Sequence, residues 1–178
     1  MSQPDFASDA IRDHVEMIHR LADGLDGVLV VSAFNAALPK DKGVVTHHRP
    51  GDVEGMIAAI EAHRDTPHMN VYCGLQVMRR GLARGQRGGE KDIVAVLGLV
   101  ADIDADTGNN AGECPLPPDY AIETSPGNMQ PFWLFDRPVA SATAKDIAKR
   151  LKAVTGSDHG TGDITHVWRV PGTLNWPN

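Results

Sequence analysis

One stretch limits the folds open to this chain more than any other: residues 93–106, which read Ile-Val-Ala-Val-Leu-Gly-Leu-Val-Ala-Asp-Ile-Asp-Ala-Asp. An unbroken apolar run rich in β-branched residues is the pattern of a central strand covered on both faces. This one ends in acid. Side chains alternate across a strand, so Asp102 and Asp104 project to one side, about 7 Å apart, while Ile103 points to the other. Two like charges at the end of a hydrophobic strand repel, and partial desolvation raises the cost of keeping both ionised. A divalent cation relieves both penalties, and carboxylate oxygens are the hard ligands that Mg²⁺, Mn²⁺ or Ca²⁺ prefer. The plainer alternative is a strand whose terminal acids face water.

A chain of 178 residues can build one sizeable α/β domain or two small modules sharing a core. Its composition is that of an ordinary soluble protein. The N-terminus lacks the charged and apolar regions of a signal peptide, and no apolar run is long enough to cross a bilayer, so a cytoplasmic location with no membrane partner is expected. Cys73 and Cys114 stand far apart with no Cys-x-x-Cys partner, which argues for packing roles rather than a zinc knuckle or disulfide. The net charge of −6 does not announce a nucleic-acid binder, although acids that ligate metal would themselves lower it.

The remaining chain reads in order. Ser8 to Leu25 is a helix capped by Ser8, with Ile11, Val15, Ile18 and Leu21 at helical spacing and Gly24 as its end. Residues 27–32 form a buried strand, and 43–46 its hairpin neighbour across a loop containing Pro39. A second helix starts at Asp52, with Val53, Met56, Ile57 and Ile60 on one face, and residues 70–75 form another strand. Adjacent strand residues face opposite ways, so His47 and His48 suit hydrogen bonding better than joint metal ligation. Residues 107–118 are dense in turn formers. Strands at 120–124 and 131–136 flank a loop at 125–130, with Pro138 breaking the second. A helix from Ala142 to Thr155 follows, burying Ile147, Leu151 and Val154 and stopping at Gly156. The chain closes on Trp176-Pro177-Asn178 without a polar tail, as a piece cut from a longer protein would.

Between Met78 and Lys91 the composition shifts. Arg79, Arg80, Arg84, Arg87 and Lys91 are interleaved with Gly81, Gly85, Gly88 and Gly89. Glycine lets backbone approach a ligand, and guanidinium groups grip phosphate oxygens in a fork. This is the candidate phosphate- or nucleic-acid-contacting loop; the bland reading is a solvated flexible loop.

Three segments together resemble the archaeo-eukaryotic primase superfamily, in its RepB-like plasmid and mobile-element branch. They are Asp102-Ile-Asp104 after a hydrophobic strand, Ser125-Pro-Gly-Asn-Met-Gln-Pro-Phe-Trp133, and Asp158 followed by Arg169-Val-Pro-Gly-Thr-Leu-Asn175. The resemblance runs from about Asn70 to the end. It implies an α+β fold: an N-terminal α/β module (1–78) packed on an RRM-like, mostly antiparallel sheet with helices (79–178), with the active site between them. It further implies that Asp102, Asp104 and Asp158 are catalytic and hold two Mg²⁺ or Mn²⁺ ions, with Asp163 the fallback ligand. Ser125, Gly127, Gln130, His166 and Arg169 would contact the nucleotide, Arg169 through its phosphates. The activity implied is template-directed nucleotidyl transfer in replication of a plasmid, phage or integrated element, with metals about 3.5–4 Å apart for in-line displacement. Partners would be nucleoside triphosphates, a single-stranded DNA template and a helicase domain or protein.

Two positions depart from the pattern. Gln130 stands where a histidine usually contacts the triphosphate; it can donate a hydrogen bond but carries no positive charge. His166 stands where a basic residue is often found, three positions before Arg169. Trp133 or Trp168 could stack a base, Trp133 being the better core residue.

Other functions compete. Asp102, Asp104, Asp106 and Glu113 fall at positions one, three, five and twelve of an EF-hand-like calcium loop, but Thr107 stands where the turn needs glycine and Gly108 comes one place late. A non-catalytic single-stranded-DNA-binding replication module and a metal-dependent nuclease are the further alternatives.

Overall fold

The apolar periodicities resolve into three helices and eight strands among the described residues, which in the computed structural model are 5–38, 42–104, 114 and 116–177. The order is α1 (Ser8–Leu21), β1 (Leu29–Asn35), β2 (Val44–His48), α2 (Val53–Glu61), β3 (Met69–Cys73), β4 (Gln76–Met78), β5 (Ile93–Val100), β6 (Tyr120–Ser125), β7 (Asn128–Val139), α3 (Ser141–Thr155) and β8 (Trp168–Arg169). Short 3-10 turns lie at Glu90–Asp92 and His159–Gly162. The strands form two four-stranded sheets, ordered β2-β1-β3-β8 and β4-β5-β7-β6. Every pairing is antiparallel. The fold is therefore α+β. β4, ahead of residue 79, pairs into the second sheet, whereas β8, near the chain's end, completes the first.

A main core joins both sheets. Ile11, Val15 and Ile18 of α1, Leu29 and Val31 of β1, Met56 and Ile60 of α2, Val71 of β3, Leu97 of β5 and Phe132 of β7 all belong to it. A second cluster, Val96, Leu99, Ala144, Ala148, Leu151 and Ile164, packs α3 on the other side of the second sheet. Strict alternation would put Leu97 and Leu99 on one face. The register of β5 against β7 shifts between Val96 and Gly98, and beyond it Leu99 joins α3 while Val100 faces the main core. That irregularity sets the phase in which the strand runs on toward Asp102.

Gly98 sits where β5 and β7 come closest: a Cβ there would lie 2.5 Å from the Trp133 carbonyl oxygen and 3.1 Å from the Leu134 Cα. Because backbone cannot give way as a side-chain tip can, Gly98→Val is expected to cost about 2–3 kcal/mol. Equilibrium urea unfolding measures it, and an unchanged midpoint would show the strands separating freely.

Several sequence expectations are corrected. α1 ends at Leu21 rather than Leu25, and Ser8 does not cap it; the cap position is Ala7, and the Ser8 hydroxyl instead donates to Glu61 at 2.9 Å. Residues 70–75 are not one strand, because the chain leaves the first sheet after Cys73 and enters the second at Gln76. The loop at 125–130 shrinks to a tight hairpin in which Ser125 pairs with Asn128. Pro138 does not end β7, which continues to Val139. On α3 the buried stripe is Ala144, Ala148, Leu151 and Thr155, leaving Ile147 38% and Val154 51% exposed. Small alanines let the helix lie close on the sheet, and that turns the larger residues to the flank. Gly156 does end α3, in the left-handed conformation.

Candidate active site

Asp102 follows β5 and is held by three hydrogen bonds from two other parts of the chain, β7 and the α3-to-β8 connection. Its backbone N–H donates to Thr161 Oγ1 at 3.0 Å, its carbonyl accepts from the Asp158 N–H at 3.1 Å, and its carboxylate accepts from Gln130 Nε2 at 3.1 Å. Ile103 bridges to Met129, so the extended backbone persists past the acid and the β6-β7 hairpin lies beside Asp104. The α3-to-β8 connection, with Asp158 capping its 3-10 turn and Thr161 inside it, closes over the end of β5.

Electrostatics tie these groups together. Burial pushes the Asp102 carboxyl above its ordinary range, the charges of Asp104 and Asp158 push it further, and only the Gln130 hydrogen bond and His166 oppose them. His166 is pulled down by burial against the attraction of Asp102, Asp163 and Asp158, and its ring packs against Gly160 and Trp168. Asp163 loses solvent, yet the Thr165 N–H and hydroxyl, at 2.8 and 2.7 Å, hold its carboxylate below the usual range.

Arg169 is a half-buried cation. Its Nη1 donates to Asn70 Oδ1 at 3.0 Å and to the Leu174 carbonyl at 3.3 Å, and its Nη2 donates to the Tyr72 hydroxyl at 3.2 Å. The guanidinium lies 5.0 Å from the Tyr72 ring centroid. No carboxylate pairs with it among the described residues. Burial lowers its proton affinity, and Tyr72 and the charge of Asp102 act against that. Arginines withdrawn from water are usually paired with an anion, and none is bound to Arg169 among the described residues.

The basic loop divides in two. Arg79 donates to Asp92 at 2.7 Å and Arg80 to Asp26 at 3.1 Å, so both are engaged by protein carboxylates near the start of β5. Arg84 is exposed. Arg87 stacks 5.7 Å from the Phe34 centroid, and its charge reaches His166. The loop is held back over the first sheet by His47, whose Nε2 meets the Gln86 carbonyl at 2.7 Å. His48 instead bonds Thr46 at 2.8 Å and Asp52 at 3.3 Å.

At the hairpin tip Ser125 Oγ accepts from Asn128 Nδ2 at 2.9 Å and the Gly127 N–H donates to Glu123 at 3.2 Å. Trp168, only 5% exposed, belongs to the main core and offers no face to a base, contrary to the sequence reading. Trp133 packs on the α3 side, its Nε1 donating to the Leu116 carbonyl at 3.0 Å. Asp106, Thr107, Gly108 and Glu113 of the calcium-loop reading lie outside the described residues.

Among the described residues no group of three His, Cys, Asp or Glu side chains is spaced to hold a metal ion as it stands. The Asp158 carboxylate accepts from the His159 N–H at 2.6 Å, as the cap of the 3-10 turn. The donor chemistry nonetheless fits a hard divalent cation: the Asp102 carboxylate, which feels the charges of Asp104 and Asp158, and beside it the buried Oε1 of Gln130, which has no hydrogen-bond partner.

Sequence reasoning missed Thr161, Asn70, Tyr72 and Gln76, whose Nε2 donates to the Thr165 carbonyl at 3.3 Å. A polar residue buried between apolar strand neighbours was the one available signal, and it applied to Asn70 and Gln76.

The architecture is shared with solved proteins. The AEP domain of the cyanophage S-2L primase-polymerase superposes with a TM-score of 0.61 at 18% identity, covering 95% of this chain and 84% of that one. The primase RepB′ superposes with a TM-score of 0.55 at 18% identity, over 89% of this chain, which spans 49% of that chain's length. These are primase folds. Residues 79–177 match the RepB DNA-primase N-terminal domain family, and the chain belongs to that family. No functionally curated protein matches it in sequence. No helix among the described residues is long and apolar enough to cross a membrane.

Proposed function

We propose that this chain is a primase or primase-polymerase catalytic domain, extending a nucleic-acid strand by template-directed nucleotidyl transfer in the cytoplasm during replication of a plasmid, phage or integrated element. The observation that supports the reading is that the charges of Asp104 and Asp158 bear on Asp102, whose own charge reaches Arg169, a half-buried arginine without a carboxylate partner among the described residues. Acids that repel one another want cations, a lone guanidinium wants an anion, and a metal-bound triphosphate supplies both.

In this reading Asp102, Asp104 and Asp158 hold Mg²⁺ or Mn²⁺, with Asp163 in reserve. When bound, the cations neutralise the triphosphate and activate the attacking hydroxyl. Arg169 grips phosphate oxygens. Gln130 keeps Asp102 in one orientation through its amide, a task for which no charge is needed. Ser125 and Gly127 would contact the nucleotide from the hairpin tip, and His166, whose ring packs on Trp168, from the side of Asp102. Arg87 and Arg84 lie along the path of a single-stranded template, whereas Arg79 and Arg80 serve the loop's own anchoring. A helicase domain or protein would supply the unwound strand.

Incubation with Mn²⁺, labelled nucleotides and primed or unprimed single-stranded templates is expected to yield extended or de novo product. Template cleavage would move the assignment to a nuclease. A gel shift without product would favour a non-catalytic DNA-binding module, the reading that the neutral Gln130 supports.

A further inference from the structure

Asn70 is a strand residue, 2% exposed, whose side chain makes three polar contacts, none of them within its own strand. Its Nδ2 donates to the Trp176 carbonyl at 2.9 Å, and its Oδ1 accepts from the Trp176 N–H at 2.8 Å and from Arg169 Nη1 at 3.0 Å. The amide thus imitates a strand partner for Trp176 while holding a guanidinium with the same oxygen.

The segment it fastens is shaped for that purpose. After β8 the Val170 N–H donates to the Val71 carbonyl at 3.1 Å, and the chain then turns at Pro171-Gly172. Gly172 has φ +83° and its carbonyl accepts from the Ala7 N–H at 2.8 Å. A Cβ at Gly172 would fall 2.6 Å from the Ala7 carbonyl oxygen, so no other residue fits the turn. The return leg brings the Leu174 carbonyl to Arg169 Nη1 at 3.3 Å and Trp176 to Asn70. The run from Arg169 to Trp176 is therefore a loop that closes on its own first residue, and Asn70 is the clasp.

Of the five N–H donors of a guanidinium, three of Arg169's go to Asn70, Leu174 and Tyr72. Both hydrogens of Nη1 are taken. What is left is Nε–H and one hydrogen on Nη2, two donors that a tetrahedral oxyanion can meet with two oxygens. We propose that Asn70 is the positioning residue of the anion site: by occupying Nη1 and closing the 170–176 loop, it makes Arg169 present its Nε and Nη2 donors to phosphate oxygens. This rests on the proposed triphosphate role of Arg169 and deepens it. Tyr72, beneath the guanidinium, sets the plane in which those donors lie.

The test uses the whole chain with inorganic tripolyphosphate and with nucleotide. The Arg169 Nε–H signal in a ¹H–¹⁵N spectrum, assigned by its loss in Arg169→Ala, is expected to shift on adding tripolyphosphate. In Asn70→Ala the shift should vanish and the KM for nucleotide should rise about tenfold, the size of one hydrogen bond to a charged group, with kcat changed far less. Asn70→Asp keeps the side-chain shape and an acceptor for Arg169, so it guards against a variant that fails to fold. It should retain the signal but weaken the shift, because its carboxylate competes for the guanidinium. A parental shift and KM in both Asn70 variants would overturn the proposal. A parental KM in Arg169→Ala would instead remove the triphosphate role itself, so the two failures are told apart.

Discussion

Asp102→Asn is expected to abolish nucleotide incorporation while leaving the fold intact or slightly more stable. The amide is nearly the shape of the carboxylate, and the two backbone contacts of residue 102, to Thr161 and Asp158, do not involve the side chain. What is lost is the negative charge that would hold a cation against the triphosphate. Such a charge contributes several kcal/mol to the transition state, so the expected fall is about a thousandfold or more. The stability effect has the opposite sign. Burial and the neighbouring acids raise the folded pKa of Asp102 above its unfolded value, so its ionisation works against folding at neutral pH and that penalty disappears as pH falls through the folded pKa. Removing the charge removes the penalty. Primer-extension rates and thermal unfolding of the same preparation decide the matter. Extension at the parental rate would end the polymerase assignment, and a sharply lowered Tm would make Asp102 a structural residue.

A steep loss of stability on mild acidification is the second large expectation. His14 lies inside the core, its Nε2 3.1 Å from Cys73 Sγ and its Nδ1 3.0 Å from the Tyr120 hydroxyl, with Phe132 edge-on at 6.0 Å. The network links α1, β3 and β6, and so ties the two sheets together. Neither titratable neighbour carries charge near neutrality: burial pushes the Cys73 thiol up to about 12 and raises the Tyr120 hydroxyl as well. Burial pushes the His14 imidazole down to about 4 from 6.5. The unfolded chain therefore binds a proton between these values that the folded chain refuses. Stability is complete above about pH 6.5 and falls as pH drops toward 4, by about 3 kcal/mol in all. Urea unfolding at closely spaced pH values should show a slope of about one proton across that window. His14→Gln, which cannot titrate, should remove that component; if it leaves the slope unchanged, the acid sensitivity lies elsewhere.

Much of the architecture was legible because it rests on local pattern. The run from Ile93 predicted β5, which ends at Val100 with Asp102 just beyond it. Gly156 marked the end of α3 because a left-handed residue suits glycine. Periodicity faltered where two answers fit equally. Ile147 and Val154 share a helical face with Leu151 no better than Ala144 and Ala148 do, and the closeness of α3 to the sheet chose the alanines. The division at residue 78 follows the change of composition in the chain, whereas β4 and β8 each pair outside the module that the division gives them.

By itself the sequence determined the kinds of element, the acid-tipped strand and the family to which the chain belongs, since each is written in neighbouring residues or short spacings. The tertiary structure alone decided which charges are already paired. Arg79 and Arg80 meet Asp92 and Asp26, whereas Arg169, equally basic in the sequence, meets an amide, a carbonyl and a phenol. It also brought Asn70 to a residue 99 positions away. Such contacts depend on how whole sheets pack. No local rule encodes that, because the free energy of a buried polar group is set by the partner it finds across the fold.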